Sequence, residues 1–153
     1  MKTKLLITSV AALCFAACSK DKFTTKPQLE FKSVNTQVLY PNQLLEFTIH
    51  YTDREGDIQN TMFYIEKVAL NCSIAGSSFV DSMEFTPAGV PKQNNAEGDI
   101  LVRYLYGVQL GYATLTGPRC AWNDTCYFRF ALRDAAKNSS DTVMSPQIVI
   151  IKN

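Results

Sequence analysis

Residues 45–52, which read LEFTIHYT, decide the fold class because apolar and polar side chains alternate there without a break. Leu45, Phe47 and Ile49 fall on one face of an extended chain, and the polar residues fall on the other. Successive side chains of a strand point to opposite faces of a sheet. This period of two predicts a strand with one buried face.

The same alternation recurs along the chain, and no stretch has the period of an amphipathic helix. Residues 61–70, 99–110 and 125–133 predict further strands, residues 79–85 a short one, and the Ile/Val-rich residues 147–152 a final one. Turn signals separate these segments, which favours an all-β, antiparallel β-sandwich of about seven strands. The predicted core consists of Phe47, Ile49, Phe63, Ile65, Val102, Phe128, Phe130 and Ile150.

Length and composition fit one globular domain. The chain has 153 residues, of which 46% are hydrophobic and 19% charged, which excludes a disordered tail, a collagen-like fibre and a coiled coil. Lys and Arg number 15 against 14 acids, so the charge balance gives no basic face for nucleic acid.

The N-terminus has the pattern of a secretory signal. Lys2 and Lys4 provide a cationic start, and residues 5–17 carry no charge. This apolar stretch is shorter than the ~20 residues that a spanning helix needs. We therefore expect residues 1–17 to be a signal peptide that is removed.

Residues 15–18, FAAC, resemble the lipobox of bacterial lipoproteins, with Phe15 in the place that Leu usually takes. The resemblance implies cleavage before Cys18 and acyl chains on that cysteine, which anchor the protein in a membrane. An ordinary signal peptide cut after Ala17 is the alternative.

Residues 19–22, SKDK, are similar to part of the export signal of Bacteroidetes-type surface lipoproteins, although Lys22 replaces its second acid. This similarity implies lipid anchoring at the outer membrane, facing either the periplasm or the cell surface. We expect residues 18–27 to form the lipidated N-terminus and a polar tether.

Residues 128–140, FRFALRDAAKNSS, together with Pro146 and the later residues 148–150, resemble the last hairpin of bacterial immunoglobulin-like or fibronectin-III-like modules. Lys137 replaces the usual Gly, so we expect a different turn type. The resemblance implies that residues 28–153 form an immunoglobulin-like sandwich, and it implies no chemistry.

Residues 53–57, DREGD, offer the carboxylates of Asp53, Glu55 and Asp57 in one loop. Calcium prefers several oxygen ligands. The loop also resembles Asp-x-Glu-Gly-Asp loops of cadherin-like extracellular sandwiches.

Two features of the sequence argue against calcium at this loop. Arg54 lies inside it, and a site would need a distant acid such as Asp134 or Glu97. A solvated turn is therefore favoured, and we expect no cofactor and no calcium-specific stabilisation.

Three cysteines remain in the predicted mature domain: Cys72, Cys120 and Cys126. Export brings them into an oxidising compartment. The short spacing favours a Cys120–Cys126 disulfide, while a pairing of Cys72 and no bridge at all stay open. Zinc is not favoured, since His50 is the only histidine.

No nucleophile elbow, phosphate-binding loop or metalloprotease motif occurs, so we predict a protein that is not an enzyme. Trp122 is the best candidate for an exposed aromatic that contacts a ligand. The sequence favours a membrane-anchored interaction or structural module with an unidentified protein or glycan partner. The alternative is a carbohydrate-binding accessory lipoprotein of a polysaccharide-uptake system with a structural calcium, and a small hydrolase is least favoured.

Overall fold

The computed structural model describes most of the predicted domain. The predicted signal peptide (residues 1–17) and Cys18 lie outside the described residues. Within the described part, no helix is long and apolar enough to cross a membrane. The structure describes residues 22–59, 61–74, 77–85, 92–107 and 111–152, without the side chains of 73–85.

The described residues form ten strands and no helix, which confirms the all-β prediction. Their bounds lie close to the alternating segments of the sequence, including the short strand predicted over 79–85. The strands are β1 (Gln28–Val34), β2 (Val38–Leu39), β3 (Leu44–Asp53), β4 (Phe63–Ile74), β5 (Ser77–Phe85), β6 (Ala96–Tyr106), β7 (Ala113–Leu115), β8 (Asp124–Leu132), β9 (Val143–Met144) and β10 (Ile148–Ile150).

The strands form two mixed sheets. One has the order β1-β3-β6-β7, and the other has the order β2-β10-β8-β4-β5 with β9 beside β8. The β2–β10 and β6–β7 pairs are parallel, so the prediction of purely antiparallel sheets with about seven strands is wrong. Each parallel pair includes a strand of two or three residues, β2 or β7, which is too short to show a period in the sequence.

The two sheets pack face to face through aromatic rings. The Phe47 ring of β3 lies 4.8 Å from that of Phe128 and 5.2 Å from that of Phe130, both on β8. Tyr104 of β6 stacks on Phe128 at 6.1 Å. Every predicted core residue is buried in one cluster between the sheets, which confirms the predicted core.

The long strands run between two ends of the domain. β3 has ten residues and therefore spans about 30 Å. Asp53 lies at one end, which we call the N-terminal end because residues 22–27 bind there. Tyr106 and Asp124 lie at the other, which we call the distal end.

Residues 22–27, the described part of the predicted tether, are docked on the domain. The backbone N–H and the guanidinium of Arg54 donate hydrogen bonds to the carbonyls of Thr24 and Phe23, at 3.2 and 2.8 Å. Lys22 pairs with Glu97, and Lys26 pairs with Asp141. These six residues therefore extend the domain and do not act as a free spacer.

Candidate functional site

Three carboxylates meet at the N-terminal end. Asp53 ends β3, Asp57 follows four residues later, and Asp134 comes two residues after β8. One oxygen of each lies within 4.8 Å of the others. The backbone N–H of Ala135 donates to the Asp57 carbonyl at 3.2 Å, which holds the two loops together.

Gly56 fixes the shape of the loop that carries Asp57. Its φ is +61°, and a Cβ there would lie 1.8 Å from the carbonyl oxygen of Gln93. Only glycine fits this close approach and this left-handed conformation. The turn directs the backbone N–H of Asp57 to Asp53 Oδ2 at 3.1 Å.

Asp53 and Asp134 are buried and Asp57 is half-buried, and the carboxylates of the loop after β3 are short of hydrogen-bond donors. Asp53 is 0% exposed. Its Oδ1, Asp57 Oδ1 and Glu55 Oε2 are buried and have no donor among the described residues. Burial raises the pKa of Asp53 to about 6; the backbone N–H groups of Asp57 and Gly56 oppose this rise, and the charges of Asp57 and Glu55 add to it.

The prediction of a solvated turn is therefore wrong for Asp53. Arg54 is exposed, and its guanidinium binds the Phe23 carbonyl, so its position inside the loop does not neutralise the cluster. Of the two distant acids named from the sequence, Asp134 joins the cluster, whereas Glu97 pairs with Lys22. Both acids lie at this end, since Glu97 is opposite Thr52 of β3, but Glu97 is at an exposed position of β6 whereas Asp134 is buried beside the loop that follows β3.

The turn after β8 orients Asp134. The backbone N–H and the side-chain amide of Asn138 donate to Asp134 Oδ1 and Oδ2, at 2.6 and 2.7 Å. Lys137 adopts a φ of +73°, so it takes the left-handed conformation that glycine favours. Lys137 therefore keeps the left-handed backbone conformation, although it stands where the similar hairpins usually have Gly.

The disulfide lies at the distal end and joins Cys72 to Cys120, whose Cα atoms are 5.4 Å apart. The predicted Cys120–Cys126 bridge is wrong. Cys126 is 0% exposed and lies on the inward face of β8, opposite Ala69, while Cys120 lies in the preceding loop, which crosses the end of β4. Burial raises the pKa of the free Cys126 thiol to about 12.

Trp122 is exposed, as predicted, with 57% of its surface accessible. Its indole N–H donates to the Asn71 carbonyl at 3.3 Å, which ties the ring to the end of β4. Tyr40 is 51% exposed and lies at the same end. It begins the turn after β2, in which the backbone N–H of Asn42 donates to the Tyr106 carbonyl at 3.0 Å.

His50 has the surface position expected from its outward place in the alternation. Its Nδ1 lies 2.8 Å from Oδ1 of Asp99, the residue directly opposite on β6. This is an ordinary cross-strand pair at the surface.

A buried ion pair between Lys67 and Asp124 was missed by the sequence analysis. The signal was present, since Lys67 continues the inward positions of Phe63 and Ile65 by steps of two. A charged side chain at an inward position is costly to bury unless a group of opposite charge is buried beside it.

No family model matches the chain, and no curated protein matches it. Among solved structures, it is similar to Spo0M, a sporulation control protein from Bacillus subtilis, with 9% identity and a TM-score of 0.47 over 85% of this chain. AvmM, which catalyses a macrocyclization in alchivemycin A biosynthesis, aligns with 11% identity and a TM-score of 0.46 over 86% of this chain and 92% of that one. A β-glucosidase from Listeria innocua aligns with 10% identity and a TM-score of 0.42 over 83% of this chain and 16% of that one. The chain spans about half (51%) of the length of Spo0M, and likenesses this low carry no conclusion about its function.

Proposed function

We propose that the protein is an exported lipoprotein, anchored in the outer membrane through acyl chains on Cys18, and that it is a non-catalytic module that binds a protein partner. The proposal combines the signal and lipobox pattern of residues 1–18 with the two-ended architecture of the domain.

The arrangement of the two ends is the observation that carries this proposal. Residues 22–27 are bonded to the N-terminal end, so a lipid on Cys18 would lie only a few residues from that end. The distal end, with Trp122 and Tyr40 exposed, lies about 30 Å further along the strands. A lipid-anchored domain of this shape would hold its exposed aromatic rings away from the bilayer.

We further propose that the domain is immunoglobulin-like. The neighbours β1, β3 and β6 correspond to strands A, B and E of that fold, and β4, β8 and β10 correspond to strands C, F and G. β5 lies beside β4 in the place of strand C′ of variable-type domains. β7 departs from the pattern, since it follows the strand E equivalent in sequence and runs parallel to it.

A non-catalytic role is favoured by where the reactive side chains lie. The Cys126 thiol is buried with a raised pKa, and His50 is engaged with Asp99 on the outer face of the first sheet. Neither has the accessible nucleophile–base geometry that acyl or phosphoryl transfer requires.

Membrane fractionation in the native host tests the anchor. Cys18→Ser should move the protein from the membrane fraction to the soluble fraction, while Cys14→Ser, which changes a cysteine of the signal segment, should leave it in the membrane. The mature protein should also carry the mass of acyl chains on residue 18. An unmodified Cys18 at the start of the mature protein, or membrane retention of a Cys18→Ser chain that has lost residues 1–17, would contradict the proposal.

Site-specific photo-crosslinking tests the interaction role. A photoreactive residue at position 122 should link to one defined protein, whereas the same residue at position 32, on β1, should not. The captured protein should then bind the purified domain and lose affinity for Trp122→Ala. The same products from both positions would overturn the assignment of the distal end.

Trp122 also favours the second candidate, a carbohydrate-binding accessory lipoprotein. An indole ring that is 57% exposed and fixed by its N–H can stack on a sugar. Retardation of the wild-type protein in affinity gels that contain a polysaccharide, abolished by Trp122→Ala, would favour this candidate over a protein partner.

A further inference from the structure

The carboxylate cluster at the N-terminal end has the dimensions of a site for one cation. Calcium binds oxygen ligands at 2.3–2.6 Å, so two oxygens on the same ion are at most about 5 Å apart. The three oxygens of Asp53, Asp57 and Asp134 lie within 4.8 Å of one another. A single ion can therefore contact all three.

Burial gives independent support for a bound ion. Asp53 is 0% exposed, yet its Oδ1 has no hydrogen-bond donor among the described residues. Asp57 is half-buried as a residue, and its Oδ1 is likewise buried without a donor. A buried carboxylate oxygen without a partner is costly unless a cation or donor satisfies it. Asp53 Oδ2 already accepts the Asp57 N–H, so Oδ1 is the oxygen left for an ion.

The surrounding charges increase the need for a cation. Glu55 contributes a fourth carboxylate, whose Oε2 is also buried without a donor and whose charge acts on Asp53. Two cationic side chains are adjacent to the ligands in sequence: Arg54 binds the Phe23 carbonyl, and Arg133, which precedes Asp134, has a buried Nε with no acceptor among the described residues. Like charges at this distance repel each other. A divalent cation bound between the carboxylates would attract each of them and outweigh that repulsion.

We propose that Asp53, Asp57 and Asp134 bind one calcium ion, which joins the loop after β3 to the turn after β8. The ligands on offer are hard oxygens, which suit calcium or magnesium and do not suit zinc. Calcium is the better fit because it accepts irregular geometry with six to eight oxygens, including backbone carbonyls and water. This proposal reverses the expectation drawn from the sequence and does not depend on the lipid anchor.

The proposed ion would also strengthen the attachment of the N-terminal segment. The loop that supplies Asp53 and Asp57 carries Arg54, which binds residues 23 and 24. The turn that supplies Asp134 carries Asn138, whose amide donates to the Thr25 carbonyl at 3.5 Å. Calcium would thus brace both elements that hold the start of the domain.

Thermal unfolding of the purified protein, first freed of metal with EDTA, tests the site with calcium itself as the probe. For the affinities of ~0.1–1 mM found in extracellular modules, 10 mM CaCl2 should raise Tm by about 5–10 °C. The same concentration of MgCl2 should give a much smaller rise. Equilibrium binding of radioactive calcium to the wild-type protein should reach one ion per chain.

Three variants make the test specific. Asp57→Asn and Asp134→Asn should lose the calcium-dependent rise, and Asp57→Asn in EDTA should be as stable as the wild type or more stable, because one of several like charges is gone. Asp141→Asn, an acid at the same end with a 92% exposed side chain, is the matched control and should keep the full rise. A rise that magnesium equals, a rise that survives in Asp57→Asn, or no binding to the wild-type protein at 10 mM calcium would each overturn the proposal.

Discussion

Lys67 and Asp124 form an ion pair inside the protein, with Nζ 2.5 Å from Oδ2 and side chains only 6% and 1% exposed. Lys67 reaches from β4 to the first residue of β8, so the pair crosses between neighbouring strands near the distal end. Asp124 Oδ1 has no donor among the described residues, and Lys67 is therefore the main compensation for this buried charge.

Removal of one partner should be far more damaging than removal of both. Lys67→Met leaves the Asp124 carboxylate buried and unpaired, which should lower the free energy of unfolding by ~3–5 kcal/mol. The double variant Lys67→Met/Asp124→Leu should recover most of that loss. Urea denaturation measures both. Arg103→Met, which breaks the more exposed pair with Glu46, is the control and should cost less than about 1 kcal/mol through the lost ion pair.

The disulfide prediction concerns both stability and pairing. Cys72 and Cys120 are 48 residues apart, and a loop of that length should stabilise the fold by up to about 4 kcal/mol in the chain-entropy account. The Cys72→Ala/Cys120→Ala variant should lose that amount in urea denaturation. Cys126 should react with iodoacetamide only after unfolding, since it is fully buried. A peptide map with a Cys120–Cys126 link would contradict the structure.

Asp53 should make the metal-free protein less stable as the pH rises. The pKa of Asp53 is about 6 in the folded state against the ordinary 3.8, so the folded state holds the proton more tightly. Asp53 therefore makes its full contribution to the free energy of unfolding below about pH 4, and this contribution is lost as the pH rises through about 6. In EDTA, Asp53→Asn should lose this fall between pH 4.5 and 7, while Asp141→Asn should keep it.

Lys137 should be a site where glycine stabilises the protein. Its φ of +73° is unfavourable for a side chain with a Cβ, and glycine adopts that region without the penalty. Lys137→Gly should raise the free energy of unfolding by up to ~1 kcal/mol. Ala135→Gly in the same turn is the control and should not stabilise. Equal effects of the two changes would show that the left-handed conformation is not the cause.

The sequence predicted the strands and the core well because their signal is local. Phe47, Ile49, Phe128 and Phe130 fall inward through alternation alone, and all four are buried where the two sheets meet. For these strand residues, side-chain polarity and the period of two decide which way the side chain faces. Trp122 is exposed for a different reason, since it lies in the loop before β8.

Pairings between distant segments were determined only by the tertiary structure. Spacing favoured Cys126 as the partner of Cys120, but Cys126 continues the inward positions of Phe128 and Phe130 and is buried in the core. Only the packing of β4 brings Cys72 to the loop that holds Cys120. Sequence likewise could not choose between Asp134 and Glu97 as the acid beside Asp53, because both follow or begin strands whose neighbours are set by sheet order. Hydrophobic alternation is a property of each segment by itself, whereas a disulfide or a carboxylate cluster depends on which ends of different strands meet, and that is decided by packing of the whole domain.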